Sequence, residues 1–86
     1  MAYIVNLQSK AKRQLKSLGE KTAERLNLAM QKLAFEPRPR GCKKMKGHQD
    51  QYRIRVGEFR IIYDVDDGVR IIDIVKLGDR KEVYRD

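Results

Sequence analysis

The chain has 86 residues, 20 of them Lys or Arg against 12 Asp or Glu, for a net charge of +8. That length has room for one small domain, 1–86, with a core modest enough for a bound partner to add stability. The charge points to a polyanionic partner: nucleic acid, the ribosome or an acidic protein. No window approaches the roughly 20 apolar residues that span a bilayer. The N-terminal Met1-Ala2-Tyr3-Ile4-Val5 lacks the pattern of a secretory signal. The lone Cys42 can form no intramolecular disulfide, so a cytoplasmic protein without membrane attachment is expected.

Tyr3, Val5 and Leu7 alternate with Ile4 and Asn6, which predicts a first strand. Ser9 offers an N-cap for a helix whose Ala11, Leu15 and Leu18 share one face among Lys10, Lys12, Arg13 and Lys16. Gly19 fits the position just past its end. From about Glu20, Ala23, Leu26, Met30 and Leu33 recur at spacings of three and four, predicting a second helix that stops at Pro37. So short a connection predicts an antiparallel helix pair. Between Glu36 and Gly47, prolines and glycines are interspersed with Arg38, Arg40, Lys43, Lys44 and Lys46. This predicts a loop with a short strand around Lys44 to Lys46.

The C-terminal half reads as a meander. Gln51 to Val56 alternates Tyr52, Ile54 and Val56 with Arg53 and Arg55. Gly57-Glu58 suits a two-residue type II′ turn, Phe59 to Val65 a strand, Asp67-Gly68 a type I′ turn and Val69 to Val75 a further strand. Lys76 to Arg80 follows as a glycine-containing connection before a short Glu82-Val83-Tyr84 segment. The first turn places Val56 opposite Phe59, Arg55 opposite Arg60, Ile54 opposite Ile61 and Tyr52 opposite Tyr63. A two-residue second turn places Ile61 opposite Ile74 and Tyr63 opposite Ile72, which keeps the apolar residues on one face. The expected class is α+β: an N-terminal strand, a helix pair, then an antiparallel β-meander with the helices packed on one sheet face.

Arg53, Arg55 and Arg60 then share the face away from the helices, with Arg55 directly opposite Arg60. Like charges at that spacing destabilise a sheet. An anion bound across the pair relieves the repulsion, and the planar donor fork of arginine matches phosphate oxygens. Long side chains splayed into water, or neutralised by Asp64 or Asp73, are the bland alternative. Ile62, Ile71 and Val75 share this face and can floor a cleft, meet a partner's helix, or form a second small core under the Pro37 to Gly47 loop.

The stretch Lys44-Met45-Lys46-Gly47 followed by YRIRVGEFRIIYDVDDGVRIIDIVKLGDRKEVYRD resembles the RelE branch of the RelE/ParE toxin superfamily. The resemblance rests on Tyr52-Arg53-Ile54-Arg55, Arg60 within FRIIY, Gly78-Asp79-Arg80 and Glu82-Val83-Tyr84, and it spans nearly the whole chain. It implies a ribosome-dependent mRNA endoribonuclease paired with a RelB-like antitoxin, partly acidic and helical. In the implied reaction an mRNA 2′-hydroxyl attacks the neighbouring phosphate, giving a cyclic phosphate and a free 5′-hydroxyl. By the same resemblance, the active-site basic pair falls on Arg53 and Arg55 and the transition-state arginine on Arg60. The arginine linked to leaving-group protonation falls on Arg80, the catalytic tyrosine on Tyr84, and an RNA-contacting cation on Lys46. Lys43 and Lys44 beside it are further candidates for RNA binding. The best-known members carry lysines where Arg53 and Arg55 stand. Arginine stays protonated, so charge stabilisation is the role those two positions imply.

Phosphoryl transfer depends on positioning and charge stabilisation, which arginines supply. A phenol with a free pKa of about 10 becomes a usable base only where cations favour its phenolate. His48 is the single histidine, which excludes a two-histidine ribonuclease mechanism. Neither a metal nor a cofactor is expected, because one His and one Cys make no zinc set and no phosphate-binding glycine motif is present. Two other readings share this pattern: a ParE-type inhibitor of DNA gyrase with the same fold, and a basic module that binds RNA or a partner without catalysis.

Overall fold

The computed structural model of the chain describes residues 2–47 and 49–79. His48, Arg80 and Tyr84 are outside the described residues, as is the Glu82-Val83-Tyr84 segment. In chain order the elements are β1 (Ile4–Leu7), α1 (Ser9–Ser17), α2 (Glu20–Phe35), β2 (Lys43–Lys44), β3 (Gln51–Val56), β4 (Phe59–Asp66) and β5 (Ile71–Asp79). The sheet order is β1-β5-β4-β3-β2. The β2–β3, β3–β4 and β4–β5 pairs are antiparallel, whereas β1 lies parallel to β5. The α+β class stands, and the expected antiparallel meander is joined at its β5 edge by the parallel β1. The N-terminal strand closes the sheet beside the last strand, and the two helices form the crossover.

Ser9 does not cap α1. Gln8 still donates its N–H to Ile74 O at 3.0 Å as part of the sheet, so the extended backbone at Gln8 becomes the cap. Gly19 separates the helices at φ +87°, a conformation that suits a residue without Cβ. Glu20 in the first turn of α2 complements the positive end of the helix dipole. At the other end, Ala34 O accepts a hydrogen bond from Tyr3 N at 2.8 Å, which satisfies one of the carbonyls a helix terminus leaves open.

One face of α2 buries Leu26, Met30 and Leu33, and α1 adds Ala11. They meet Ile61, Tyr63 and Val65 of β4 and Ile72, Ile74 and Leu77 of β5. Each large apolar side chain buried there contributes about 1.5–3 kcal/mol. The Tyr63 hydroxyl remains satisfied inside this core by donating to Pro37 O at 2.7 Å, and burial pushes its pKa well above the ordinary phenol value.

The first hairpin has the expected register, from Val56 opposite Phe59 through Arg55 opposite Arg60 to Tyr52 opposite Tyr63. The second does not. Asp66 pairs with Ile71, so the loop holds Asp67, Gly68, Val69 and Arg70, and the strand begins two residues later than expected. The Asp66 carboxylate accepts from the N–H groups of Gly68 at 2.9 Å and Val69 at 3.2 Å, and Arg70 takes the positive φ of 59°. This side-chain closure replaces the type I′ turn expected at Asp67-Gly68.

Asp67 is used differently. It accepts two hydrogen bonds from Arg38, the closer at 2.8 Å, and one from the Tyr3 hydroxyl at 2.6 Å. Arg38 also donates to the Tyr52 hydroxyl at 3.0 Å and lies 5.0 Å from the centre of its ring. The segment after α2 is thereby tied to the β4–β5 loop and the N-terminus. Tyr63 is matched with Ile74, and Ile61 with Leu77, in place of Ile72 and Ile74. β5 also runs on through Gly78 to Asp79, where a connection was expected.

Two outcomes test this frame. Gly57 sits at φ +62°, and a Cβ there would lie 2.5 Å from the Arg25 guanidinium. Gly57→Ala should therefore cost about 1–2 kcal/mol in chemical denaturation; no loss would contradict the turn. The Arg38 guanidinium, and then the Tyr3 hydroxyl, hold the Asp67 carboxyl below its ordinary value. A depressed folded pKa adds stability that is present above the unfolded value of about 3.9 and lost as pH falls through the folded value. Asp67→Asn should lower the melting temperature at neutral pH, with the gap to wild type closing as pH falls below the ordinary carboxylate range.

Candidate phosphate-binding face

Residues paired across the sheet project from the same side, so the register determines the composition of the face away from the helices. One row runs Arg55, Arg60, Gly78. The next runs Lys43, Arg53, Ile62, Lys76. A third runs Gln51, Asp64, Asp73, Asn6. Arg53, Arg55 and Arg60 are together as expected, and Lys43 joins them at the edge.

Burial gives the group depth. Arg55 is exposed and Arg53 half-buried, while Arg60 and Ile62 are only 8% and 6% exposed. Arg60 and Ile62 thus form a floor, with Arg53 and Arg55 at the rim. Arg55 donates through Nε to Gly57 O at 3.1 Å, which ties its guanidinium to the hairpin turn. An anion reaching the floor would leave bulk water, where its attraction to a guanidinium strengthens.

Lys44 is opposite Tyr52 and so belongs to the helix side of the sheet. Lys46 lies exposed in the turn that follows β2. The expected strand at Lys44 to Lys46 is thus Lys43–Lys44. Arg80 follows directly on Asp79, the last described residue of β5, and Tyr84 is beyond it. Tyr52 and Tyr63 lie under the helices with ring centroids 6.0 Å apart, and Tyr3 is engaged with Asp67. No tyrosine among the described residues lies on the basic face.

Sequence reasoning missed Lys76. The structure places it opposite Ile62, 7% exposed, in the row that holds Arg53. The cause is a register shift between Ile62 and Tyr63 that leaves Val75 without a partner on β4. A signal was available. Strict alternation from Ile72 and Ile74 would send Lys76 into the core and leave Leu77 outside, an order that burial opposes.

The far end of the face has the opposite charge. Asp50, Asp64, Asp66, Asp67 and Asp73 line a cavity of about 460 Å³ at the β4–β5 loop, with Gln51 donating to Asp64 at 2.8 Å. Among the described residues no group of three or more His, Cys, Asp or Glu is placed to hold a metal ion, and no helix is long and apolar enough to cross a membrane. Cys42 lies on the helix side, where its thiol faces the Tyr63 hydroxyl.

Comparison with known proteins gives the family. Residues 5–84 match the family described as the ParE toxin of type II toxin-antitoxin system, parDE. A Methanocaldococcus jannaschii protein named RelE1 is 30% identical over 88 residues, covering 99% of this chain and 98% of that protein. The archaeal RelE of a RelE–RelB complex from Pyrococcus horikoshii superposes with a TM-score of 0.81 at 33% identity, covering 93% of this chain and 97% of that one. The isolated Escherichia coli RelE toxin gives 0.80 at 26%, covering 96% and 92%. With its sequence and its fold matched over nearly the whole chain, the chain belongs to the RelE/ParE family of type II toxin–antitoxin toxins and is a RelE-like member of it.

Proposed function

We propose that this toxin cuts messenger RNA on the ribosome, using the basic sheet face to hold and activate one phosphodiester. The observation that carries the reading is the meeting of Arg53, Arg55 and Arg60 on one side of the sheet, with Arg55 and Arg60 directly paired. Arg53 and Arg55 grip the RNA backbone from the rim. Arg60, on the floor, stabilises the charge that builds on the phosphate oxygens. The opposed carboxylates at Asp64 and Asp73 repel a polyanion and so favour its placement toward the arginine end.

In the proposed step the 2′-oxygen forms a bond to phosphorus while the bond from phosphorus to the 5′-oxygen breaks. Tyr84 takes the 2′-proton, since cations brought near a phenol favour its phenolate. The leaving 5′-oxygen takes a proton from water, and Arg80 stabilises its developing charge. Lys43 extends the grip along the strand, and Lys44 and Lys46 add electrostatic attraction from the sheet edge. The reaction proceeds in the cytoplasm without metal or cofactor, and a cognate antitoxin restrains it, as RelB accompanies RelE in the Pyrococcus horikoshii complex. A net charge of +8 suits an antitoxin that is acidic where it covers the arginines.

The matched family carries the ParE name, which favours one second reading, inhibition of DNA gyrase. Primer-extension mapping of mRNA ends on programmed ribosomes separates the two, alongside a gyrase supercoiling assay. Wild-type protein should cut within the decoded codon and leave supercoiling untouched. Arg60→Ala and Tyr84→Phe should each lower cleavage by about 100-fold or more, with melting temperatures near wild type. Unchanged cleavage in both variants would refute the proposed site, and inhibited supercoiling without cleavage would establish the gyrase reading.

A further inference from the structure

β5 contains a lysine that simple alternation would bury beneath the helices. Ile72 and Ile74 are both fully buried in the core, and the next residue in that series is Lys76. The strand departs from the series at Val75. Tyr63 is matched with Ile74 and Ile62 with Lys76, so one residue of β5 is passed over. Leu77 enters the core at 0% exposure, and Lys76 turns to the face of the arginines. A bulge of this kind interrupts the ladder and re-aims a side chain, and such features are common beside active sites.

The surroundings of Lys76 follow from the register. Ile62 separates it from Arg53 within one row, so the two cations stand two strand spacings apart, about 10 Å between Cα atoms. Arg60 is the diagonal neighbour, roughly 7–8 Å away. Gly78, opposite Arg60, adds no side chain to this corner. At 7% and 8% exposure, Lys76 and Arg60 occupy the same depth. An anion that reached one would be in range of the other, with water largely excluded and the Coulomb attraction strengthened. The two groups differ usefully: a guanidinium offers a planar fork, an ammonium a compact charge with three rotatable donors.

We infer that Lys76 is an RNA-phosphate contact, its ammonium sharing with Arg60 the phosphodiester held on the floor of the basic face. The inference rests on the reading of that face as an RNA site and adds a residue to it. The competing role is structural, with the aliphatic stem of Lys76 serving to cover Ile62.

Lys76→Met keeps the stem and removes the charge, and Lys76→Arg keeps a charge. Two measurements decide: codon cleavage on programmed ribosomes, and the salt dependence of binding to a short single-stranded RNA. Each lost phosphate contact lowers the slope of log affinity against log salt by about 0.7. Lys76→Met should show that drop and cut at least about tenfold more slowly, at a melting temperature near wild type. Lys76→Arg should keep the wild-type slope. Should Lys76→Met not fold, Lys76→Gln takes its place, retaining a polar tip without charge. A neutral variant with the wild-type slope and the wild-type cutting rate would overturn the contact. If the wild-type protein cuts no mRNA on ribosomes, the proposed function falls, and the slope with free RNA still decides Lys76.

Discussion

Burial of Ile61, Tyr63 and Val65 beneath Leu26, Met30 and Leu33 is the constraint on which the rest of the molecule depends. β4 is the central strand, paired on both sides, so its odd-numbered residues can face the helices only if its even-numbered ones face away. Arg60, Ile62, Asp64 and Asp66 are thereby committed to the far face before any electrostatic term is considered. Pairing transmits the choice to β3, which adds Arg53 and Arg55, and to β5, which adds Asp73 and, after its bulge, Lys76. Slipping β4 by one residue would bury arginine and aspartate and expose isoleucine, at a cost of several side chains' worth of hydrophobic stabilisation. The core therefore aligns the cations, and no contact among the cations has to do so.

That arrangement explains how a marginally sized domain can present a dense positive surface. Repulsion among Arg53, Arg55 and Arg60 is set against a core that contributes on the order of 2 kcal/mol per large buried side chain. Farther along the strands, Asp64 and Asp73 face the same way. The sheet thus has a positive and a negative end on one surface, separated by about four residues of rise, or roughly 13 Å. A bound polyanion encounters a direction as well as a charge. The Arg38–Asp67 pair, with Tyr3 and Tyr52, ties the loop after α2 to the other end of the sheet and keeps Asp67 occupied away from the arginines.

Much of this was legible in the order of residues, and the misses have physical causes. Tyr52, Ile54 and Val56 alternating with Arg53 and Arg55, closed by Gly57-Glu58, were enough for the register of the first hairpin and hence for the meeting of Arg55 with Arg60. The second hairpin shows the limit of that logic. A shift of two residues leaves every side chain on its own face, so the apolar pattern cannot tell a two-residue turn from the observed four-residue loop. The deciding feature was the Asp66 carboxylate closing the loop through the amides of Gly68 and Val69, and an aspartate in that role looks like any other turn residue. Lys76 was lost for a related reason: a bulge breaks the period, and only the clash of Lys76 with the core and of Leu77 with solvent announced it. The parallel seat of β1 depends on contacts distant in sequence, for which local patterning holds no sign.

In the proposed function an RNA phosphate rests among these guanidinium groups. The most direct measurement is a structure of the toxin on a programmed ribosome whose codon carries 2′-O-methyl groups, which block attack without removing the phosphates. That structure should place a phosphate of the codon within about 3 Å of the Arg60 guanidinium, with Arg53 and Arg55 along the neighbouring backbone. RNA bound against the helices or along the acidic end, with this face turned away from the codon, would contradict it.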